Sequence, residues 1–350
     1  MKKINVGIIG VGSFTKALVE GVSFYTKNPN ETIGLINPLI GEYKVKDINF
    51  VCAFDVDERK VGKKLHEAIS AGSNITKEIT KPLKYNADVY RGPTLDGVIK
   101  EMRESFVRES SAPVADVVKI LKENKTDIVV NLVPSGSDQA TLFYAEAALK
   151  ARCSFINCIP TSLATNPKWR KQFENKGLVL LGDDIKSQLG ATMLNRLLLE
   201  ILKMRGIKVT KSEQINRGGN ADHFNLLYRF KHKEKSKSEA LKSFLGKDDA
   251  KPTVGFFYTG EPSGHKLVNI RIEGEIFGRT PIVINSLVED EISINGAGTV
   301  VDAIRIARLL VDRKTLKEAK SVCPFLMKSP PEQMSDQEGF RAFQKTLKKV

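Results

Sequence analysis

Apolar runs and amphipathic segments alternate along the first part of this 350-residue chain. The apolar runs are short and rich in branched side chains, which is typical of buried strands, and the segments between them repeat apolar residues at helical spacing. This alternation predicts an α/β fold with a parallel sheet covered by helices on both faces. The predicted strands are Ile4–Ile9, Phe50–Phe54, Asp127–Val133, Ser154–Pro160 and Leu178–Leu181, and the predicted helices are Lys16–Phe24, Glu58–Ala71, Val114–Leu121, Gln139–Lys150, Asn166–Asn175 and Met193–Met204.

The rhythm changes after Met204, where strand patterns follow one another with few helices between them. This change predicts a second, largely antiparallel layer. A helical pattern returns at Val300–Leu310, so we expect the chain to come back to its first domain, and the tail Gln337–Val350 predicts a basic amphipathic helix. The strands predicted for the second layer are Lys208–Ile215, Thr253–Tyr258, Leu267–Ile276 and Pro281–Leu287.

A glycine-rich turn, Gly10-Val11-Gly12-Ser13-Phe14-Thr15, joins the first strand to the first helix. This unit is typical of a dinucleotide-binding Rossmann fold, although Thr15 replaces the third glycine of the usual fingerprint. Asp55 ends the second strand, and we interpret it as the acid that binds the adenosine ribose, which favours NAD over NADP. The alternative is an ordinary loop acid. Asp57 is predicted to cap the helix that follows.

A second glycine-containing loop, Gly182 to Thr192, also lies between an apolar run and a helix. Helix N-termini present free N–H groups to phosphate, and Ser187 and Thr192 add hydroxyl donors. Asp183 and Asp184 have the chemistry to orient a sugar hydroxyl or to assist a proton transfer. The alternative is an ordinary capped turn between a strand and a helix.

Polar clusters in the second half of the chain suggest recognition of a polyol and an anion. The stretch Asn216 to Asp222, followed by Asn225, gathers amides and a carboxylate that match hydroxyl groups, although turn chemistry also explains its glycines. Lys233 and Lys237 share a face if their segment is helical, which favours an anion between them over a solvated basic loop. Lys266 and Lys328 stand next to apolar segments, where an unpaired charge is costly.

Composition narrows the class of partner. The formal net charge of +14 indicates an anionic partner, either nucleic acid or a phosphorylated metabolite, unless it reflects a lysine-rich surface alone. No apolar run reaches membrane-spanning length and no secretory signal is visible, so we expect a cytoplasmic protein without a membrane segment. The four cysteines show no CxxC pair and no metal-ligand spacing, which indicates buried thiols in a reducing compartment.

Several motifs together resemble the archaeal and actinobacterial type of inositol-3-phosphate synthase. They are Gly182-Asp183-Asp184-Ile185-Lys186-Ser187-Gln188 with Gly190-Ala191-Thr192, Gly219-Asn220 with Asp222 and Asn225, Lys233 with Ser236-Lys237, Leu326-Met327-Lys328-Ser329-Pro330-Pro331-Glu332-Gln333, Phe54-Asp55-Val56-Asp57, and Arg91-Gly92-Pro93-Thr94-Leu95-Asp96-Gly97. The resemblance runs from the first strand to about Gln333, nearly the whole chain.

The resemblance implies a cytosolic, usually tetrameric isomerase of inositol and phospholipid biosynthesis that converts glucose 6-phosphate to 1D-myo-inositol 3-phosphate. In that family NAD oxidises C5 of the open-chain sugar, a proton leaves C6, the enolate attacks C1, and NADH then reduces C5. The implied architecture is a Rossmann-type NAD-binding domain, residues 1–195 and 290–350, with an inserted α+β catalytic and tetramerisation domain, residues 196–289.

The resemblance also assigns roles to residues. Catalytic roles go to Lys233, Lys237, Lys266, Lys328, Asp184 and Asp222, and substrate binding goes to Ser187, Gly190, Ala191, Thr192, Asn220, Asn225 and Lys266. Cofactor binding goes to Gly10, Gly12, Ser13, Phe14, Thr15, Asp55, Val133, Pro134, Ser135, Pro160, Asp184, Ala297 and Asp302.

One position departs from the family pattern. The family has Asp-Ser shortly before its last cofactor-binding helix, near the nicotinamide and, in some members, a metal, whereas this chain has Ile292-Ser293. Asp290 or Glu291 would substitute if the loop shifts. The expected cofactor is therefore NAD, and a divalent or monovalent cation is left open.

Two other functions are compatible with the sequence. One is an NAD-dependent dehydrogenase or cyclase of the same family acting on another sugar phosphate. The other is a basic nucleic-acid-binding protein on a Rossmann scaffold, although the interleaving of aromatic and basic residues used for single strands is missing. We expect a sugar phosphate and no nucleic acid as partner.

Overall fold

The computed structural model describes residues 3–229 and 252–350. Its first layer is a six-stranded sheet in which all strand pairs are parallel. The strand order is β3-β2-β1-β4-β5-β6, the order of a Rossmann fold, as the sequence predicts. The strands are β1 (Ile4–Ile9), β2 (Ile48–Asp55), β3 (Asp88–Arg91), β4 (Ile128–Asn131), β5 (Ser154–Asn157) and β6 (Leu180–Leu181).

Helices cover both faces of this sheet. Their apolar residues form two buried clusters with the strands, one on each side of the sheet. The first cluster packs α1 and α9 against one face of the sheet. The second cluster packs α4 and α5 against the other face. The helices are α1 (Ser13–Lys27), α2 (Leu65–Ala68), α3 (Lys100–Ser105), α4 (Val117–Glu123), α5 (Asp138–Ala151), α6 (Pro167–Asn175), α7 (Ala191–Met204), α8 (described over 221–229), α9 (Ile292–Asp312), α10 (Ala319–Leu326) and α11 (Asp336–Lys349).

A four-stranded sheet forms the second layer, in the order β10-β9-β7-β8. Its pairs are antiparallel except β7 with β8, in agreement with the largely antiparallel prediction. One face packs on α7 through Leu199 and Ile270, and the other face leaves Val283 and Leu287 exposed. The strands are β7 (Lys208–Gly218), β8 (Thr253–Tyr258), β9 (His265–Glu275) and β10 (Pro281–Glu291).

The helix predicted at Glu58–Ala71 is wrong for most of its length, since only α2 is helical there. The Asp57 side chain accepts a hydrogen bond from the backbone N–H of Arg59, and the amides of Lys60 and Val61 bond back to the Asp57 carbonyl. Gly62, with a φ of 84°, ends this turn. The strand β3 is absent from the predicted strands, because an edge strand of four residues has too little alternation to be recognised.

The last part of the chain folds back onto the first layer. Helix α9 begins at Ile292, well before the predicted Val300, because Gly296 and Gly298 hide its helical pattern. Helix α11 begins with a capping box between Ser335 and Glu338 and buries Phe343 against α10. Within the described ranges, every helix is too short or too polar to cross a membrane.

Candidate active site

One cavity of about 250 Å³ lies between the carboxyl edge of the first sheet and the second sheet. It is the place where a Rossmann fold binds its ligands. Residues from α1, the loops after β4 and β6, α7, α8, β9 and α9 line it. Among the lining residues named by the sequence analysis are Gly12, Ser13, Phe14, Val133, Pro134, Ser135, Asp184, Ser187, Gly190, Ala191, Thr192, Asn220, Asp222, Lys266 and Lys328.

The glycine-rich turn forms one end of this site from backbone groups. Gly10 has a φ of 87°, and a Cβ there would lie 2.7 Å from the carbonyl oxygen of Leu132, so only glycine fits. The Gly12 cap of α1 has no side-chain hydrogen bond, which leaves the first N–H groups of the helix for an anion. Thr15 is fully buried and its hydroxyl donates to the Gly10 carbonyl at 2.5 Å, so it supports the turn from inside.

Asp55 lies beside this turn rather than on the cavity wall. Its Oδ2 accepts a hydrogen bond from the Val11 N–H at 2.6 Å, and its Oδ1 accepts from the amides of Val56 and Asp57. The Nζ of Lys60 lies 3.9 Å from Oδ2. The carboxylate therefore stands at the position where a ribose-binding acid is expected in this fold.

Six residues assigned to the cofactor do not line the cavity. Gly10, Thr15 and Asp55 belong to the turn described above, and the others are Pro160, Ala297 and Asp302. Pro160 lies one residue beyond Ile159, which lines the cavity, and Ala297 packs in the core of α9.

Asp302 is buried about three turns into α9, where its carboxylate pairs with Arg305 and accepts from Asn37. Both carboxylate oxygens of Asp302 thus accept hydrogen bonds inside the protein. Residues 28–46 form an insertion between α1 and β2 of the Rossmann unit. Arg305 donates to the carbonyls of Asn37, Pro38 and Tyr43 in this insertion, which the pair holds in place.

The two adjacent aspartates of the second loop differ in role. Asp183 is fully buried and accepts five hydrogen bonds, from Asn157, Leu163, Ala164 and Thr165. Burial raises the pKa of this carboxyl, while the hydrogen bonds lower it. Asp183 thus holds the loop together, and Asp184 is the one that faces the cavity.

Asp184 meets Lys328 at the cavity wall. The Lys328 Nζ donates to Asp184 Oδ1 at 2.8 Å, and the backbone N–H of Lys328 donates to the Asp184 carbonyl at 2.7 Å. A short bridge between Ile185 and Met327 aligns the two segments. The pairing explains how a lysine in an apolar segment is tolerated, because its charge is compensated.

Ser187, Gly190, Ala191 and Thr192 form a cradle at the start of α7. The Gly190 cap of this helix makes no side-chain hydrogen bond, so the first amides of α7 are suited to a phosphate. The loop is clamped from α9 by Asn295, whose side-chain amide bonds both the N–H and the carbonyl of Leu189, at 3.1 and 2.9 Å.

Strand β9 of the second sheet brings Lys266 to the opposite wall, and the start of α8 brings Asn220 and Asp222 there. Asn220 caps α8, since its Oδ1 accepts from the N–H of His223 at 2.9 Å. Asn225 is buried and does not reach the cavity, because its side chain donates to the Ser135 carbonyl at 2.9 Å. Lys233 and Lys237 lie outside the described residues.

Sequence reasoning missed four polar residues on the wall: Lys186, Arg196, His223 and Asp336. Lys186 lies inside the quoted loop motif, and Arg196 follows Thr192 by one helical turn, so both carried a local signal. No sequence signal places Asp336 in the site.

The donors near Ile292 do not fit a resident metal. Ile292 contributes a hydrocarbon side chain to the wall, Asp290 pairs with Asn295, and Glu291 accepts from Thr76. In the described ranges, no three His, Cys, Asp or Glu side chains are grouped as metal ligands. We therefore derive no step through a metal.

Comparison with known proteins agrees across sequence and structure. A family model described as myo-inositol-1-phosphate synthase matches residues 190–291. The chain is 39% identical to inositol-3-phosphate synthase of Mycolicibacterium smegmatis, over 95% of each chain, and 39% identical to that of Corynebacterium glutamicum, also over 95% of each. Among solved structures, a myo-inositol-1-phosphate synthase-related protein from Thermotoga maritima has a TM-score of 0.83 at 25% identity and covers 99% of this chain and 98% of its own.

Proposed function

The chain belongs to the inositol-3-phosphate synthase family, and on that premise we propose that it converts glucose 6-phosphate to 1D-myo-inositol 3-phosphate with NAD. One observation carries the proposal. The glycine-rich turn of dinucleotide-binding type and the phosphate cradle at the start of α7 open into the same cavity, so a cofactor and a phosphorylated sugar would lie side by side.

The residues present fit NAD. Gly10 permits the positive φ of the turn, and Gly12 leaves open space for a ligand to approach the backbone. The uncapped start of α1 suits the pyrophosphate, and Asp55 suits a ribose. Phe14 and the loop Val133–Ser135 line the cavity as well. When bound, NAD supplies the acceptor for the hydride removed from C5 and the donor that returns it.

The chain's own groups bind the sugar and its developing charges. The amides of Gly190, Ala191 and Thr192 and the Ser187 hydroxyl would hold the phosphate. Lys328, kept in place by Asp184, and Lys266 on the opposite wall would donate hydrogen bonds to the bound sugar phosphate and to the oxyanions that form during the reaction. Preorganised cations in a site shielded from water stabilise such charges strongly. Asp222 and Asn220 would bind hydroxyls, as the resemblance implies.

The proposed roles of Lys233 and Lys237 rest on the sequence resemblance alone. By the resemblance, Lys237 would assist the proton and hydride transfers at C5, and Lys233 would stand near the aldehyde or the enolate. Helix α8, which precedes this segment in the sequence, is docked on the first layer by Asn225 and by Arg229, which donates to the Asp96 carbonyl.

We also propose the domain division 1–195 and 290–350 against 196–289, a cytoplasmic location and a homotetramer. The exposed outer face of the four-stranded sheet, with Val283, Leu287 and Phe257, would form the contact between subunits. No partner nucleic acid is proposed.

The test is incubation with glucose 6-phosphate and NAD, followed by identification of the product by chromatography and NMR. The proposal expects 1D-myo-inositol 3-phosphate without net NADH. A protein that binds both compounds but releases only NADH, or forms no cyclic product, contradicts it.

One observation favours a second candidate, a cyclase of this family acting on another sugar phosphate. Ile292 is apolar where the family has an aspartate, and His223 adds an imidazole to the wall. Parallel incubations with fructose 6-phosphate and mannose 6-phosphate decide between the two candidates. The second candidate is supported if either sugar phosphate gives a cyclic product with a lower KM than glucose 6-phosphate.

A further inference from the structure

Three charged side chains from separate elements meet on the cavity wall. Lys186 lies in the loop before α7, Arg196 lies on α7, and Asp336 is the first residue of α11. The Lys186 Nζ lies 2.7 Å from Asp336 Oδ1, and the Arg196 Nε lies 3.1 Å from Asp336 Oδ2. Their exposed fractions are 8%, 2% and 8%, so all three charges are largely removed from solvent.

The C-terminal helix holds Asp336 at this place. The Ser335 cap and the Glu338 carboxylate fix the first turn of α11, and Phe343 is fully buried against α10. Both cations also contact neighbouring backbone. Lys186 donates to the Pro324 carbonyl at 2.6 Å, and Arg196 donates to the Met334 carbonyl at 2.7 Å. The three charges are therefore fixed by several contacts each.

The cluster adjoins the phosphate cradle. Lys186 directly precedes Ser187, and Arg196 follows Thr192 by one helical turn on the same face of α7. Both cations line the cavity into which the cradle opens. Amides alone give a phosphate only partial positive charge, whereas guanidinium and ammonium groups form charge-assisted hydrogen bonds with it.

We propose that Lys186 and Arg196 bind the phosphate of the substrate and that Asp336, delivered by the C-terminal helix, is the positioning residue that aims both cations. This deepens the proposed function and rests on it. Stability alone does not explain why these charges are buried, since apolar side chains of similar volume often give a protein that is as stable or more so. Because the cluster lies on the cavity wall, binding of an anionic substrate explains its charges.

The charge of Lys186 should respond to pH in the working range. The pKa of Lys186 is lowered to about 8, mainly by burial. Asp336 opposes this shift, and the positive charges of Arg196 and Lys328 add to it. Lys186 is thus charged below about pH 8 and neutral above it, so phosphate binding should weaken as the pH rises through that value. Removing the Asp336 charge should lower the pKa again and move the loss of binding to lower pH.

The experiment uses Asp336→Asn in the full-length protein and measures KM for glucose 6-phosphate from pH 6 to 9. We expect KM at pH 7 to rise about tenfold, the size of a lost charged hydrogen bond, with kcat changed less. The inflection of KM with pH should move to lower pH. The dissociation constant of NADH, measured by fluorescence, should be unchanged because the cofactor end of the cavity is untouched.

Glu338→Gln is the matched control. It removes the other carboxylate in the first turn of α11, which belongs to the cap and not to the cluster. A fall in unfolding temperature with an unchanged KM and pH profile is expected. Equal effects of Glu338→Gln and Asp336→Asn on KM would overturn the proposal, because the helix rather than the charge would then be responsible.

Lys186→Met keeps the test decisive if Asp336→Asn does not fold. It should give the same rise in KM and remove the inflection near pH 8. A Lys186→Met enzyme with the KM and pH profile of the natural protein would overturn the proposal while leaving the function intact. A natural protein that forms no product from glucose 6-phosphate would overturn the function and this proposal together.

Discussion

The two ends of the cavity are built by different means. At the cofactor end, the groups that would hold a ligand are backbone amides of a turn, and their support comes from Gly10 and from Thr15 five residues away. At the substrate end, charged side chains support one another across long stretches of chain. Asp184 and Lys328 are 144 residues apart, and Lys186 and Asp336 are 150 apart.

The two ends should therefore lose ligand binding through different kinds of substitution. A turn of backbone amides tolerates most side-chain changes and is sensitive only where φ or space demands glycine. A buried charge depends on its partner, because removing one member leaves the other desolvated and uncompensated. We therefore expect the cofactor end to be affected by changes of backbone freedom, and the substrate end by changes of charge.

The largest expected effect lies at neither end. Asp302→Ala leaves Arg305 buried without its carboxylate, and burial already lowers the pKa of Arg305. Loss of one partner of a buried pair costs about 3–5 kcal/mol in the free energy of unfolding. Urea denaturation measures this, and NADH affinity of the folded protein should not change.

The control for Asp302→Ala is Glu42→Ala, since Glu42 pairs with Arg313 near the same insertion but both side chains are half-exposed. It should cost less than about 1 kcal/mol. If Asp302→Ala binds NADH more weakly but keeps the stability of the natural protein, Asp302 contributes to cofactor binding and not to stability, which would contradict the prediction.

The next effect tests the substrate end. Lys328→Ala leaves the nearly buried Asp184 facing the cavity without its ammonium partner and removes a cation from the site. We expect kcat/KM for glucose 6-phosphate to fall on the order of a hundredfold, mainly through KM, with NADH affinity unchanged. Steady-state kinetics with NADH fluorescence titration checks both.

Lys328→Arg provides the control, because it keeps the charge and should recover part of the loss. A Lys328→Ala enzyme with unchanged KM would show that this pair has no part in binding the sugar phosphate.

A smaller effect is expected at the cofactor end. Gly10→Ala places a Cβ 2.7 Å from the Leu132 carbonyl oxygen at a φ of 87°. Such strain costs about 1–3 kcal/mol, so NADH affinity should fall roughly tenfold to a hundredfold. Gly12→Ala is the control, since a Cβ there meets no atom within 4 Å and its φ is ordinary. Equal losses in both variants would contradict the claim that the backbone of Gly10 is the sensitive element.

The sequence predicts the cofactor end better than the substrate end, because the residues of the cofactor end are close together in the chain. The strand, Gly10-Val11-Gly12 turn and helix are contiguous, so their pattern predicts the local structure, and the order of the first sheet follows from it. The cradle at Thr192 also lies in one stretch. The partners Asp336 and Arg196 come from elements distant in sequence, and nothing in the local pattern of either one indicates the other.

Errors in the fold also have local causes. The short α2 replaces a longer predicted helix because the Asp57 side chain closes a turn that competes with the helix, and Gly62 then ends it. The family resemblance assigns Asp302 to the cofactor, and no local pattern indicates its pairing with Arg305. Its burial against Arg305 depends on the 28–46 insertion, whose path the sequence does not indicate.

The smallest expected effect concerns cofactor choice. Asp55 is the one side chain at the cofactor end on which specificity should depend, because its charge would repel the 2′-phosphate of NADP. Lys60 lies 3.9 Å from Asp55 Oδ2 and also donates to Asn74 at 3.2 Å, so a cation is already present beside that acid. Asp55→Asn removes the repulsion and leaves the Lys60 charge uncompensated. We expect the preference for NADH over NADPH to fall about tenfold, as measured by fluorescence titration with both cofactors.

Two matched variants show whether this pair of charges sets the preference. Asp57→Asn alters the neighbouring acid, which pairs with Arg59 at 2.5 Å, and should leave the preference unchanged. Adding Lys60→Met to Asp55→Asn should remove the gain in NADPH affinity, because the cation that would meet the 2′-phosphate is lost. Equal affinity of the natural protein for NADH and NADPH would refute the role of Asp55. An unchanged preference in Asp55→Asn would instead place cofactor selection in the backbone of the turn, and the cofactor end would then depend on no side-chain charge at all.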